Sequence, residues 1–202
     1  MWFWAIRQTN KEEQSDEELM ARYQGGDTQA LGVLYDRYAH RLKAFAYRKG
    51  AKRPDEVVQD AFMRIVRNGE SFKGNARFKT WLFSIVRNLT IDASRRDKFR
   101  NMPSLDAPIR GGDGTMTLGD KVASEVPHAN AERAVTDRRF KAAFEVALAA
   151  LPEDQREVFL LRQYSGLSFS EIGVTVGCKE NTAKSRMRYA LLGLREALAA
   201  YR

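Results

Sequence analysis

The chain has 202 residues, a formal net charge of +8 and a 44% hydrophobic share, which suits one or two domains with cores of their own and a polyanionic partner. Its single cysteine, Cys178, excludes an internal disulfide framework and a multi-cysteine metal site, while His40 and His128 stand in no metal-ligand spacing. No apolar run approaches the roughly 20 residues that span a bilayer, so no membrane insertion, no metal and no cofactor are expected, and the protein reads as soluble and cytoplasmic.

The start, Met1-Trp2-Phe3-Trp4-Ala5-Ile6, is apolar but gives way at once to Arg7 and Lys11, too short a run for a signal-peptide core. Residues 1–15 are read as a tail. From Asp16 to Arg100 the pattern is helical. Leu31, Leu34, Tyr38, Leu42 and Phe45 recur at spacings of three and four, predicting a helix that begins near Asp27 and stops before Gly50. A second helix follows Pro54-Asp55, with Val57, Val58, Ala61, Phe62, Ile65 and Val66 as its buried stripe and Gln59, Asp60, Arg64 and Arg67 outside. After a polar loop over 71–76, a third long helix carries Trp81, Leu82, Ile85, Val86 and Leu89 inward. Trp81 shares the phase of that stripe, so it is read as core rather than as a stacking platform. The helix ends in Arg95, Arg96, Lys98 and Arg100, cations that suit the negative end of a helix dipole.

Residues 101–130 change character. Pro103, Pro108, Gly111-Gly112, Gly114, Gly119 and Pro127 break any period, and Asp106, Asp113, Asp120 and Glu125 make the stretch acidic between two basic flanks. A structureless stretch of this length inside one compact domain would be unusual, so it is read as a flexible linker. From 131 to 202 the pattern is helical again. Phe140, Phe144, Ala147, Leu148 and Leu151 form one stripe, Pro152 fits the first position of a following helix, and Val158, Phe159, Leu161 and Tyr164 carry that helix to Gly166. The expected fold class is all-α: two helical domains, 16–100 and 131–202, joined by a flexible linker.

The strongest local signal begins at Ser168. With Glu171 it makes an S-x-x-E capping box opening a short helix, Ile172 and Val176 give that helix an inner face, and Gly177 can end it in the left-handed conformation. A second helix starts near Glu180-Asn181 and runs through Met187, Leu191, Leu194 and Leu198. Two short helices joined by a tight glycine turn make a helix-turn-helix, whose second helix enters the major groove of DNA. Thr182, Lys184, Ser185, Arg188 and Tyr189, with Arg186 nearby, are its candidate DNA contacts, able to donate to phosphates or base edges.

The stretch Leu151-Pro152-Glu153-Asp154-Gln155-Arg156-Glu157-Val158-Phe159, followed by Gly166-Leu167-Ser168-Phe169-Ser170-Glu171-Ile172, resembles the fourth domain of bacterial RNA polymerase sigma factors. Leu34-Tyr35-Asp36-Arg37-Tyr38, Asp55-Glu56-Val57-Val58-Gln59-Asp60-Ala61-Phe62 and Phe78-Lys79-Thr80-Trp81-Leu82-Phe83-Ser84-Ile85-Val86-Arg87-Asn88 resemble the family's second domain, in the same order. The absence of room for a third domain points to the short, extracytoplasmic-function (ECF) group. Gly173, where the family usually has alanine, and Lys179-Glu180, where a proline or small apolar residue is common, depart from its pattern.

The resemblance implies a subunit that binds core RNA polymerase, reads the −35 promoter element as duplex and opens and reads the −10 element. The partners it implies are the beta-prime clamp helices, the beta flap, promoter DNA and an anti-sigma factor. Carried onto this chain, it assigns core polymerase binding to Gln59, Asp60, Arg64 and Arg67. It assigns −35 recognition to the helix at 181–189. For the −10 element it points to Asn88, lining a pocket for an unstacked base, with Lys73 and Lys79 in the covering loop and Arg95 and Arg96 on phosphates. It sends the acidic linker toward the basic cleft of the polymerase. No nucleophile–base pair, metal spacing or P-loop is present in the sequence, so no enzyme is expected. The alternative is a stand-alone helix-turn-helix regulator, which would leave Asp55 to Asn88 unexplained.

Overall fold

The computed structural model describes residues 14–100 and 131–201, with side chains for 14–97 and 138–201, and among them all regular structure is helical. The expected linker, 101–130, and most of the expected tail lie outside the described residues. Ser15 is the N-cap of helix α1 (Asp16–Gln24): its hydroxyl accepts from the Glu18 N–H at 3.2 Å while its own N–H donates to Glu18 Oε2 at 2.8 Å. This helix was not singled out from the sequence, although Ser15-x-x-Glu18 is the same signature read at Ser168.

Helix α2 (Thr28–Lys49) begins at Asp27, whose carboxylate accepts from the Gln29 N–H at 3.0 Å, and stops at Gly50, where φ is 106°. Helix α3 (Pro54–Asn68) and helix α4 (Phe78–Arg100) complete the first domain. Three α1 residues fix it in place: Asp16 binds Tyr38 and Arg37 of α2, Glu17 accepts from the Phe78 N–H at 2.9 Å, and Leu19 is buried. The α4 start is thus capped by a carboxylate from another helix, which satisfies a donor that its own turn leaves open.

The core of this domain is aromatic. Phe45 and Phe83 meet edge-on at 5.6 Å between ring centroids, Tyr38 and Phe78 at 6.0 Å, and Phe72 and Phe78 at 5.7 Å. These edge-to-face pairs add directionality to the burial of large apolar surfaces. The inward stripes of α2 and α3 are as expected except for Val66, which is half exposed. A 3.6-residue period carries residue 66 round from Ile65 by 100°, off the edge of the stripe.

The second domain consists of α5 (Ala131–Ala150), α6 (Glu153–Ser165), α7 (Phe169–Val176) and α8 (Glu180–Ala197). Leu148, Leu151, Val158, Leu161, Leu167, Ile172, Ala183, Ala190 and Leu194 fill its core. Two expected core positions face outward, Phe140 at 44% and Leu191 at 49% exposure. Pro152 is the N-cap of α6 rather than its first helical residue.

The two domains pack directly on each other, α6 against α2 and α4, and α7 against α4. Ion pairs cross their seam beside a shared apolar core. Glu157 of α6, almost fully buried, takes Lys49 Nζ at 2.8 Å and both Arg87 Nε and Nη2 at 3.0 Å. Around it, Lys49 also reaches Glu153 at 3.0 Å, and Arg48 pairs with Glu145 at 2.6 Å and lies over the Tyr164 ring.

Two glycines in helices have opposite reasons to exist. A Cβ on Gly173 would stand 2.6 Å from the Cys178 carbonyl oxygen, whereas one on Gly32 would meet nothing within 4 Å. The turn backbone therefore depends on the missing side chain at 173, which explains the departure from alanine there. Gly173→Ala is expected to lower the unfolding free energy by about 1–3 kcal/mol. Gly32→Ala is expected to raise it by about 0.5–1 kcal/mol, both read from urea midpoints.

Candidate nucleic-acid interface

In the second domain, the sequence builds a helix-turn-helix from its caps outward. Ser168 Oγ accepts from the Glu171 N–H at 3.2 Å, and Glu171 Oε2 accepts from the Ser168 N–H at 2.8 Å, closing the capping box that starts α7. Gly177, at φ 75°, turns the chain, and the Cys178 N–H donates back to the Gly173 carbonyl at 2.8 Å. Cys178 is partly buried at this junction and packs against the core. The Glu171 carboxyl is held below its ordinary range. Burial pushes the other way, but hydrogen bonds from Ser168 and from the Thr80 hydroxyl outweigh it.

Helix α8 turns Ala183, Ala190 and Leu194 inward, which leaves Thr182, Lys184, Ser185, Arg188 and Tyr189 on the exposed face. Small residues at 183 and 190 let α8 lie close against its neighbours. Lys184 folds back on Glu180 at 2.6 Å, an exposed pair between successive turns that DNA can compete for. Arg186 is placed differently: its Nε sits 3.0 Å from Asp154 of α6 and its side chain is largely covered. The structure therefore exposes five of the six sequence candidates together and pairs the sixth, partly covered, with Asp154.

In the first domain, a small cleft of about 150 Å³ is lined by residues 71–76 and by Trp81. Gly74 sits at φ 70° in its loop, and Lys73 is exposed at its rim. Trp81 packs against Phe72 at 5.3 Å and Phe78 at 6.0 Å between ring centroids, yet its remaining surface lines the cleft. The expected core role thus describes only part of this side chain. Asn88 does not line the cleft; it is exposed, its Oδ1 accepting from Arg87 Nη1 at 3.4 Å.

Trp81, Asn88 and Arg95 are spaced by seven, so they follow one face of α4 with a drift of only about 20° per step and a rise of roughly 10 Å. An aromatic surface, an amide with donor and acceptor, and a guanidinium stand along one line. Arg96 is exposed beside Arg95, and Lys79 is partly covered at the start of the helix. Such a line offers a nucleic-acid strand stacking, edge reading and phosphate contact in sequence.

A second and larger groove lies between α2 and α3, about 580 Å³, lined by Tyr35, Ala39, His40, Lys43, Asp55, Val58, Gln59, Phe62, Met63 and Val66. Tyr35, Met63 and Val66 expose apolar surface there, and a Lys43–Asp55 pair at 2.8 Å bridges the two helices. Of the four expected contact residues, Gln59 lines this groove, while Asp60, Arg64 and Arg67 are exposed on α3 beyond it. Sequence reasoning missed the apolar part because Val66 was counted as core. Among the described residues no group of His, Cys, Asp and Glu could hold a metal ion, and no helix is long and apolar enough to cross a membrane.

Comparison with known proteins identifies the family. The family model for sigma-70 region 2 matches residues 34–100 and that for sigma-70 region 4 matches 141–192, together more than half of the chain. The RNA polymerase sigma-H factor of Pseudomonas aeruginosa is 28% identical over 188 residues, covering 92% of this chain and 95% of its own. The ECF RNA polymerase sigma-E factor of Escherichia coli is 29% identical over 182 residues, covering 87% and 90%. Among solved structures, the sigma factor RpoE, co-crystallised with the anti-sigma factor NepR from Bartonella quintana, aligns with a TM-score of 0.56 at 27% identity, over 80% of this chain and 91% of that one. CnrH, in complex with the cytosolic domain of CnrY, shares the fold with a TM-score of 0.65 at 24% identity, over 93% and 99%. With region 2 and region 4 in that order on an all-helical frame, and relatives that match nearly end to end, the chain belongs to the sigma-70 family as an ECF sigma factor, directing promoter-specific transcription initiation.

Proposed function

We propose that the two domains divide promoter reading between them: residues 16–100 open and read the −10 element, residues 131–202 read the −35 element as duplex, and 101–130 tether them within the polymerase. The observation that carries this is the exposed face of α8, where Thr182, Lys184, Ser185, Arg188 and Tyr189 stand clear of the fold on a helix already positioned by its turn. On the first domain the seven-residue line of Trp81, Asn88 and Arg95, with Lys73, Lys79 and Arg96 around it, supports capture of a single strand. Asn88 then acts above the cleft rather than inside it, with Trp81 as the surface nearest an unstacked base.

The α2–α3 groove supports docking of the polymerase clamp helices, its apolar floor buried by a partner helix and Gln59, Asp60, Arg64 and Arg67 forming a polar margin. The beta flap is the proposed partner of the second domain. RpoE is seen with an anti-sigma factor, and this chain is proposed to be held by one too. It acts in the cytoplasm, where the polymerase is, and without chemistry of its own.

Purified chain is expected to associate with core RNA polymerase and to give run-off transcripts from a specific promoter; specific duplex binding without any association with core enzyme would return the stand-alone regulator. Val66→Asp is expected to weaken core association by at least about tenfold, since it puts a charge into a desolvated contact, measured by fluorescence anisotropy with labelled chain. Arg188→Ala should cost about 1–3 kcal/mol in use of the −35 element and leave core binding intact; a loss of core binding would mean that α8 is not the reading helix. Asn88→Ala is expected to lower promoter opening, read by permanganate reactivity of the −10 strand, and unchanged reactivity would take Asn88 out of the strand path.

A further inference from the structure

Between Phe72 and Phe78 the chain runs exposed for five residues, Lys73-Gly74-Asn75-Ala76-Arg77, of which the first four line the small cleft beside Trp81. Two cations and an amide on so short a stretch can serve phosphates and base edges. Closing such a loop over a base costs backbone freedom at every residue that becomes ordered. Its two ends are already fixed. Phe72 and Phe78 are both buried, with their ring centroids 5.7 Å apart.

Both ends are also bound to α1, through the backbone. Gln24 Nε2 donates to the Gly69 and Phe72 carbonyls at 3.0 Å each. The Gly69 carbonyl takes the Phe72 N–H as well, at 3.1 Å, so Gln24 ties the turn over 69–72 at its two extremities. At the far end of the loop, Glu17 Oε1 accepts from the Phe78 N–H at 2.9 Å. Residues 17 and 24 are seven apart and share one face of α1, with buried Met20 between them. The approach is close: a Cβ on Gly69 would stand 3.0 Å from the Tyr23 ring and 3.3 Å from Met20 Cε. Its φ of −57° is open to any residue, so glycine is required there by the contact with α1 and not by the turn. Helix α1 is held in its own place by Asp16, paired with Arg37 and Tyr38 of α2.

Resting on the −10 assignment of the cleft above, we propose that Glu17 and Gln24 are positioning residues for promoter opening: α1 presets both ends of the 73–77 loop for the base that leaves the stack. They act through the backbone at 69, 72 and 78. A preset loop has less freedom to lose when it closes. The gain therefore falls on the step that captures the base, and not on core binding or on docking at the −35 element. Both side chains lie outside the core, which separates a positioning role from a packing one.

The test uses holoenzyme assembled from core polymerase and the full chain, on the promoter that gives run-off transcripts, with 2-aminopurine in the non-template strand of the −10 element. Its fluorescence rises as the base leaves the stack, and varying the holoenzyme concentration separates closed-complex affinity from the rate of opening. Gln24→Met, similar in length but without donors, should slow opening by about 3- to 10-fold, the contribution of one or two hydrogen bonds. Core association and closed-complex affinity should not change. Gln24→Lys, which still donates, should stay within about twofold of the unaltered chain. At the other end, Glu17→Met should slow opening in the same way, while Glu17→Gln, which still accepts, should not. Lys73→Ala, at the exposed rim, reports on the −10 assignment and should slow opening by itself. If Lys73→Ala slows opening and Gln24→Met does not, positioning is overturned and the −10 assignment stands. If Gln24→Met weakens core association or the closed complex as much as it slows opening, or if Gln24→Lys is equally slow, α1 is a packing element only and the proposal is overturned. If Lys73→Ala, Asn88→Ala and Gln24→Met all leave opening unchanged, the −10 assignment falls and the proposal with it. Should circular dichroism show Gln24→Met unfolded, the two Glu17 variants decide.

Discussion

Glu157 lies on α6 almost out of water, its two oxygens shared by a lysine from α2 and an arginine from α4. A carboxylate in that position tolerates little rearrangement. Removing one partner of a buried pair costs about 3–5 kcal/mol because a charge is stranded, although the intact group adds little net stability. What such a group supplies is orientation. It sets α6 against α2 and α4, and α6 in turn packs on α8, where Arg186 pairs with Asp154. Arg87 also donates to Asn88 at 3.4 Å, so the same cation touches both the seam and the proposed strand path.

Much of the fold was legible because helix periodicity and caps are local. Asp27, Gly50, Pro54, Ser168, Gly166 and Gly177 mark boundaries that the structure reproduces, each by a mechanism confined to a few residues. What was not legible depends on partners distant in sequence. Arg186 looks like its neighbours until α6 brings Asp154 to it. Glu157 and Lys49 are separated by more than a hundred positions, and nothing in either local pattern announces their meeting. Val66 and Leu191 are apolar and near the stripe, yet fall just past the edge of the buried arc. Trp81 is the instructive intermediate: its phase announced burial correctly, but a large ring can pack one edge on Phe72 and Phe78 and present the rest to a cleft.

The candidate surfaces differ in physical character, and the difference matches the partners proposed for them. The α8 face is polar and basic on a rigid helix, suited to duplex edges and phosphates. The α4 line mixes an aromatic, an amide and guanidinium groups, suited to bases taken out of the stack. The α2–α3 groove is apolar at its floor, suited to a protein helix.

The pairing of Arg186 with Asp154 also bears on how such a protein can diversify. On the proposed assignment, Arg186 ties α8 to α6 from the margin of the exposed face, so the residues at 182, 184, 185, 188 and 189 are bound by helix propensity rather than by burial. Promoter preference can then drift by substitution at those surface positions while the mount stays fixed. Duplicated copies could acquire separate target sets without passing through unstable intermediates. In that sense the anchor makes the reader interchangeable.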